Sequence, residues 1–135
     1  MIFLPYIYED ELLYSVFARY HHYSGNENPK ETMNELYGSH TTCATTLFPT
    51  NLNTLLHGFP TPNSFQVKEL IIKNTGLPYY TPFIPNERNL ELKKLMVEGN
   101  GTSFYMKLGR TASTIKNKKY LYCCKSCVNE DTFNN

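Results

Sequence analysis

The sequence predicts a mostly α-helical protein: a small helical bundle, with room for a helix-turn-helix arrangement, followed by the first half of a zinc-finger knuckle. Three observations predict it. Apolar residues recur at helical period in several separate stretches. Glycines and prolines punctuate those stretches. The chain then closes on Cys124-Lys125-Ser126-Cys127, two thiols with two residues between them.

The first helix is expected over Glu9 to Ser24. Leu12, Leu13, Val16, Phe17 and Tyr20 form its apolar stripe, Glu9, Asp10 and Glu11 favour its N-terminus, and Gly25 stops it. Asn28-Pro29 supplies a cap and a first-turn proline for a short second helix through Tyr37, ended by Gly38. His40 to Phe48 reads as a threonine-rich connection. A third helix is expected from Thr50 to His57, with Leu52, Leu55 and Leu56 on one side. After a break at Pro60 and Pro62, Ser64 is expected to cap a fourth helix, Phe65 to Asn74, whose Phe65, Leu70, Ile71 and Ile72 supply core.

Pro78, Pro82 and Pro85 predict an extended, apolar loop over 76–85 that packs across the helices. Asn86 is expected to cap a fifth helix carrying Leu90, Leu92, Leu95 and Met96 and stopped at Gly99. Ser103 to Leu108 reads as a further turn or two, ending at Gly109, and Tyr120 to Cys123 as a short strand entering the knuckle. These elements divide the chain into a helical domain, 1–109, and a basic segment with an incomplete zinc-finger half, 110–135.

Charge is uneven. The 13 Lys and Arg against 12 Asp and Glu leave a formal charge of +1, so no global nucleic-acid signature exists. Yet Lys107, Arg110, Lys116, Lys118, Lys119 and Lys125 fall in a stretch without an acid. Interleaved with Thr111, Ser113 and Thr114, they suit phosphate contacts that position a protein on duplex DNA without reading its sequence. A solvated basic face is the plain alternative.

Cys124 and Cys127 have the bite of a zinc-binding pair, whereas a tetrahedral shell wants four donors. Cys123 and Cys127 are one residue too far apart for the same turn. Ordinary free thiols are the alternative; a redox pair lacks the strand–helix context such motifs need. His21, His22, His40 and His57 are distant from the pair and are not assigned to metal. The 4 Cys do not form a secreted disulfide pattern, and a reducing cytoplasm is expected. The N-terminus lacks the pattern of a signal peptide, and no apolar run reaches a membrane span. Enzyme motifs such as GxSxG, a Walker A loop or HExxH are missing, and Cys43 with a histidine is weak ground for a nucleophile. The expectation is a non-enzyme.

Read together, these residues resemble the TniQ family. The resemblance rests on Phe3-Leu4-Pro5-Tyr6, then Glu9-Asp10-Glu11-Leu12-Leu13-Tyr14-Ser15 with Ala18-Arg19, then Glu35-Leu36-Tyr37-Gly38. It continues through Phe48-Pro49-Thr50-Asn51-Leu52, the segment Leu77 to Phe83, and the final cysteine pair. Asn74 stands at the family's usual histidine, Gly76 at a leucine, Lys125 at the knuckle's proline and Cys123 at an aromatic.

The resemblance implies a bacterial, cytoplasmic target-selection adaptor in DNA transposition. Such a protein binds double-stranded DNA, or joins a guide-RNA effector complex, and recruits a TnsC-type AAA+ ATPase that licenses the transposase. It also implies that Phe3, Tyr6 and Tyr8 contact that ATPase. The second zinc pair would then lie further C-terminal, leaving the zinc site of this stretch incomplete or empty. A zinc-dependent DNA-binding regulatory module unrelated to transposition is the alternative.

Overall fold

The structure, a computed structural model, describes residues 3–39, 45–56, 64–99, 101, 103–109 and 121–134. Within them the chain is mostly helical, with eight α-helices, one 3₁₀ turn and no strand. Helix α1 runs Leu13–Ser24, α2 Pro29–Tyr37, α3 Asn53–Leu56 and α4 Ser64–Lys73. Helix α5, Leu77–Tyr80, leads into the 3₁₀ turn Thr81–Phe83, followed by α6 Asn86–Glu98, α7 Phe104–Lys107 and α8 Lys125–Asn134.

Local chemistry explains the first two helices. On α1, Leu13, Val16, Phe17 and Tyr20 are buried, as the period of the stripe requires. Its start falls later than the acids suggest: Asp10 adopts φ 58°, so Glu9 and Asp10 form a turn and none of the acids sits in the first helical turn. Asn28 caps α2, its side chain accepting from the Lys30 N–H at 3.0 Å. Gly25 and Gly38, at φ 74° and 65°, close α1 and α2 in the left-handed conformation that glycine adopts without penalty.

Other boundaries differ from expectation. Helix α3 begins at Asn53 rather than Thr50, and its described part is one turn, His57 lying outside the described residues. Asn51, at φ 59°, donates to the Tyr37 carbonyl at 2.7 Å and so ties the loop to the end of α2. Ser64 is the first helical residue of α4 rather than its cap. Pro85, not Asn86, precedes α6. Leu121 to Cys123 form no strand, and Tyr120 lies outside the described residues.

The largest correction concerns 76–85. Residues 77–83 are helical, and only Ile84 and Pro85 are extended, because Pro78 and Pro82 occupy the first turns of α5 and of the 3₁₀ turn, where a missing N–H costs nothing. Leu77 is buried and Tyr80 packs on the core, but Tyr79 and Phe83 face solvent.

Helices touch in a chain, α1 on α2, α2 on α3 and α3 on α4; α4 then meets both α5 and α6, and α6 meets α7. The core runs from Leu13 to Leu108 in sequence, and every described residue from Leu121 to Phe133 is exposed. Long-range backbone bonds close it: Leu13 N–H to Asn74 O at 2.8 Å, Leu52 N–H to Met96 O at 2.9 Å and Gly76 N–H to Leu47 O at 2.9 Å.

A polar cluster joins α1 to α2. Tyr20 donates its hydroxyl to Glu35 Oε2 at 2.5 Å, Asn26 Nδ2 donates to the same oxygen at 3.0 Å, and His21 Nδ1 lies 2.7 Å from Thr32 Oγ1. The Tyr20 hydroxyl, with help from Asn26, holds the Glu35 carboxyl below its ordinary value against the opposing effect of burial. A lowered carboxylate value contributes stability that is complete at neutral pH. That contribution is lost as pH falls from the unfolded value, about 4.3, through the folded one. The stability gap between the native chain and Glu35→Gln is therefore expected to shrink with acidification, in urea denaturation followed at several pH values. A gap constant with pH would show that the ionised carboxylate contributes nothing.

Candidate functional site

Three regions carry the candidate residues: the N-terminal aromatic segment, the basic stretch and the final cysteines. The N-terminal segment has no regular structure and is held by side chains from two helices. From α1, Arg19 grips Glu11 with two nitrogens, Nε to Oε1 at 3.1 Å and Nη2 to Oε2 at 2.6 Å. Its Nη2 also donates to the Tyr6 carbonyl at 2.6 Å, and its guanidinium lies 4.9 Å from the centre of the Tyr8 ring. The two-pronged grip and the stacking need the planar fork of arginine, which a lysine could not supply. Glu11 in turn accepts from the Tyr8 N–H at 3.2 Å.

From the end of α4, the buried Asn74 donates to the Glu11 carbonyl at 2.8 Å and reaches the Tyr8 carbonyl at 3.5 Å. The loop 6–11 is thus pinned from both sides. Tyr6 and Tyr8 pack edge to face at 5.1 Å, with 75% and 47% of their surface exposed. Phe3 behaves differently: it is half-buried, with its ring 5.1 Å from that of the buried Tyr20. It anchors the segment from beneath. Between this loop and α4 lies a groove of about 460 Å³, walled by Tyr6, Tyr8 and Leu70 and edged by Glu9, Asp10 and Glu69.

Of the basic stretch, only Lys107 and Lys125 belong to the described residues; Arg110, Lys116, Lys118 and Lys119 lie outside them. Lys107, in the last turn of α7, is ion-paired with Glu91 of α6. Its charge is already matched inside the protein, which makes it a poorer phosphate ligand than its place in the sequence suggests.

Cys124 and Cys127 are exposed free thiols, as is Cys123. The pair does not form a knuckle reached from a strand. Cys124 immediately precedes α8, and Cys127 lies in its first turn. Hydrogen bonds from the Cys127 backbone and thiol, then from the Ser126 backbone, hold the Cys124 thiol below its ordinary range. A redox pair would also open a helix, but no strand precedes it among the described residues. No group of three or more His, Cys, Asp and Glu able to hold a metal occurs among them. His21 is engaged with Thr32, while Cys43, His40 and His57 lie outside the described residues. No described helix is long and apolar enough to cross a membrane.

Comparison with known families places the chain as a whole. The TniQ family model matches residues 2–135. The chain belongs to the TniQ family. It is also 32% identical over 124 residues to the transposon Tn7 transposition protein TnsD of Escherichia coli, a match covering 92% of this chain and 24% of that protein. The chain therefore spans about a quarter of the length of that relative.

In this TniQ chain the family landmarks acquire physical roles. Arg19, half of the alanine–arginine pair, holds the N-terminal loop in place. Asn74, at the usual histidine position, ties that loop to α4. Neither is legible as a site residue in the sequence, because both act on backbone carbonyls more than 10 residues away, and a carbonyl has no signature in sequence.

Proposed function

We propose that this TniQ chain serves target-site selection in DNA transposition as an adaptor that brings a TnsC-type AAA+ ATPase to a DNA-bound or RNA-guided targeting complex. The observation that carries the proposal is the family match along residues 2–135, reinforced by likeness to a transposition protein. Tyr6 and Tyr8 are the docking residues. They are large, exposed aromatics on a loop ordered by Arg19 and Asn74, so binding them costs little conformational entropy. Phe3 contributes by fixing the loop on Tyr20.

Arg110, Lys116, Lys118 and Lys119 are the DNA-facing bases, with Lys107 the weakest of the group because Glu91 neutralises it. Cys124 and Cys127 supply two of the four donors of a zinc site whose other ligands come from elsewhere; the thiolate character of Cys124 suits that role. The chain acts by binding and performs no chemistry of its own.

The test is co-purification with a TnsC-type AAA+ ATPase. Tyr6→Ala with Tyr8→Ala is expected to abolish the complex while circular dichroism is unchanged, since both side chains are exposed. In the same preparation, Lys116→Ala with Lys119→Ala should leave the ATPase bound. It should weaken duplex binding across sequences and lower the salt slope by about one for each phosphate no longer neutralised. An intact complex in the tyrosine variant defeats the docking assignment. An unaltered slope defeats the DNA assignment.

A further inference from the structure

Two large apolar residues on facing helices are exposed: Ile72 on α4, expected in the core, at 53% and Leu90 on α6 at 67%. Both line the same groove between these helices, a cavity of about 530 Å³ with Ile71 and Val97 completing its floor. A second cavity of about 260 Å³ shares Ile71, Ile72 and Lys93 and prolongs the groove toward Leu77 and Pro82. Leaving such side chains in water forfeits most of the stabilisation that burial of each would contribute.

The rim is basic. Lys68, Lys93 and Lys94 stand around the apolar floor, with Glu98 the one acid lining it. None of the three lysines has an ion-pair partner among the described residues, unlike Lys73 and Lys107, which are paired with Glu69 and Glu91. The contrast with the other side of α4 is informative. There Glu9 and Asp10 edge the N-terminal groove, with Glu69 matched by Lys73, so α4 separates a mildly acidic face from a basic one.

We infer that the α4–α6 groove is a second docking site, whose occupant is an amphipathic helix of a partner protein with apolar anchors along one side and Asp and Glu flanking them. The floor lies between two helices, where a third helix can lay residues at i, i+3, i+4 and i+7 into the trough. Carboxylates flanking those anchors meet the three unpaired lysines, which sets orientation and discriminates against basic segments. This surface is separate from the Tyr6 and Tyr8 face, and its test does not depend on the transposition role.

The probe is a synthetic amphipathic helix of roughly five turns, about 18 residues, with leucines on one face and Glu and Asp on the other. Two controls accompany it, one with Lys replacing the acids and one with the leucines replaced by Ser. Binding to the full chain is read by fluorescence anisotropy and by amide chemical shifts. The acidic peptide is expected to bind at least about tenfold more tightly than either control, and to shift signals of Ile72, Leu90 and Lys94. Ile72→Asp and Leu90→Asp should each weaken it about tenfold or more with an unchanged thermal melt, and Lys94→Glu should narrow its advantage over the Lys peptide.

Equal binding of all three peptides, or full binding by the Ile72→Asp variant, overturns the inference. So does a concentration-dependent dimer in sedimentation that Leu90→Asp dissolves, because the occupant would then be a second copy of this chain. Duplex DNA that shifts the same signals and loses affinity with Lys94→Glu but not with Leu90→Asp would also overturn it.

Discussion

Phe48→Ala is expected to cost about 3–5 kcal/mol of folding stability, the usual penalty for removing a buried aromatic ring. Phe48 is 1% exposed and sits where three other rings converge: Phe104 at 5.0 Å, Tyr80 at 5.5 Å and Tyr105 at 5.8 Å. These partners belong to α5 and α7, so the ring links the connection before α3 to the last helices of the core. The three rings around it are rigid and can fill little of the void. Against a total stability of about 5–15 kcal/mol for an ordinary domain, the loss brings the chain close to unfolding. Phe48→Leu keeps most of the volume and should cost about 1–2 kcal/mol. Urea denaturation of the three proteins checks the order. A loss under about 1 kcal/mol for the alanine variant would mean the aromatic cluster does not close the core.

Asn74→Asp is the second large effect, and it reaches function as well as stability. The buried Asn74 amide is a donor aimed at two carbonyls, Glu11 O and Tyr8 O. A carboxylate there has no proton to give and faces acceptors, with a desolvated charge besides. The expected cost is about 2–4 kcal/mol at neutral pH. Because the protonated acid regains an O–H donor, its value in the folded state is raised above the unfolded one. The cost should therefore fade as pH drops below the folded value and be complete above it. Asn74→Leu offers the neutral comparison: it also loses the donor but shows no such recovery on acidification. Both variants free the loop carrying Tyr6 and Tyr8, so each should weaken ATPase co-purification even where the helices remain folded. A variant that melts like the native chain and still holds the partner would show that Arg19 pins the loop unaided.

What could be read from the residues and what could not follows a physical division. The stripe of α1 was legible because Leu13, Val16, Phe17 and Tyr20 repeat at the helical period on one face. Likewise Asn28-Pro29 and Gly38 carry cap and stop chemistry that acts over a few residues. The placing of Ile72 in the core fails because the width of a helix's buried face is set by what packs on it, not by periodicity. Ile71 and Ile72 stand about 100° apart on α4, and there only Ile71 is buried, whereas on α1 the equally spaced Val16 and Phe17 both are. The loop expected over 76–85 fails because its prolines read as helix breakers; at first-turn positions, Pro78 and Pro82 are helix starters.

By itself the sequence determined the helical class, most helix positions, the family and the two thiols near the end of the chain, because these depend on local periodicity, capping and a linear order of landmarks. Tertiary structure alone decided which aromatics remain free. Phe3 goes down onto Tyr20 while Tyr6 and Tyr8 stay out, held by Arg19 and Asn74 from two helices. It also decided that Lys107 is engaged by Glu91 and that Ile72 and Leu90 meet across a basic groove. Each of these is a contact between residues far apart in the chain. Such contacts are set by how the helices pack, which no local pattern encodes.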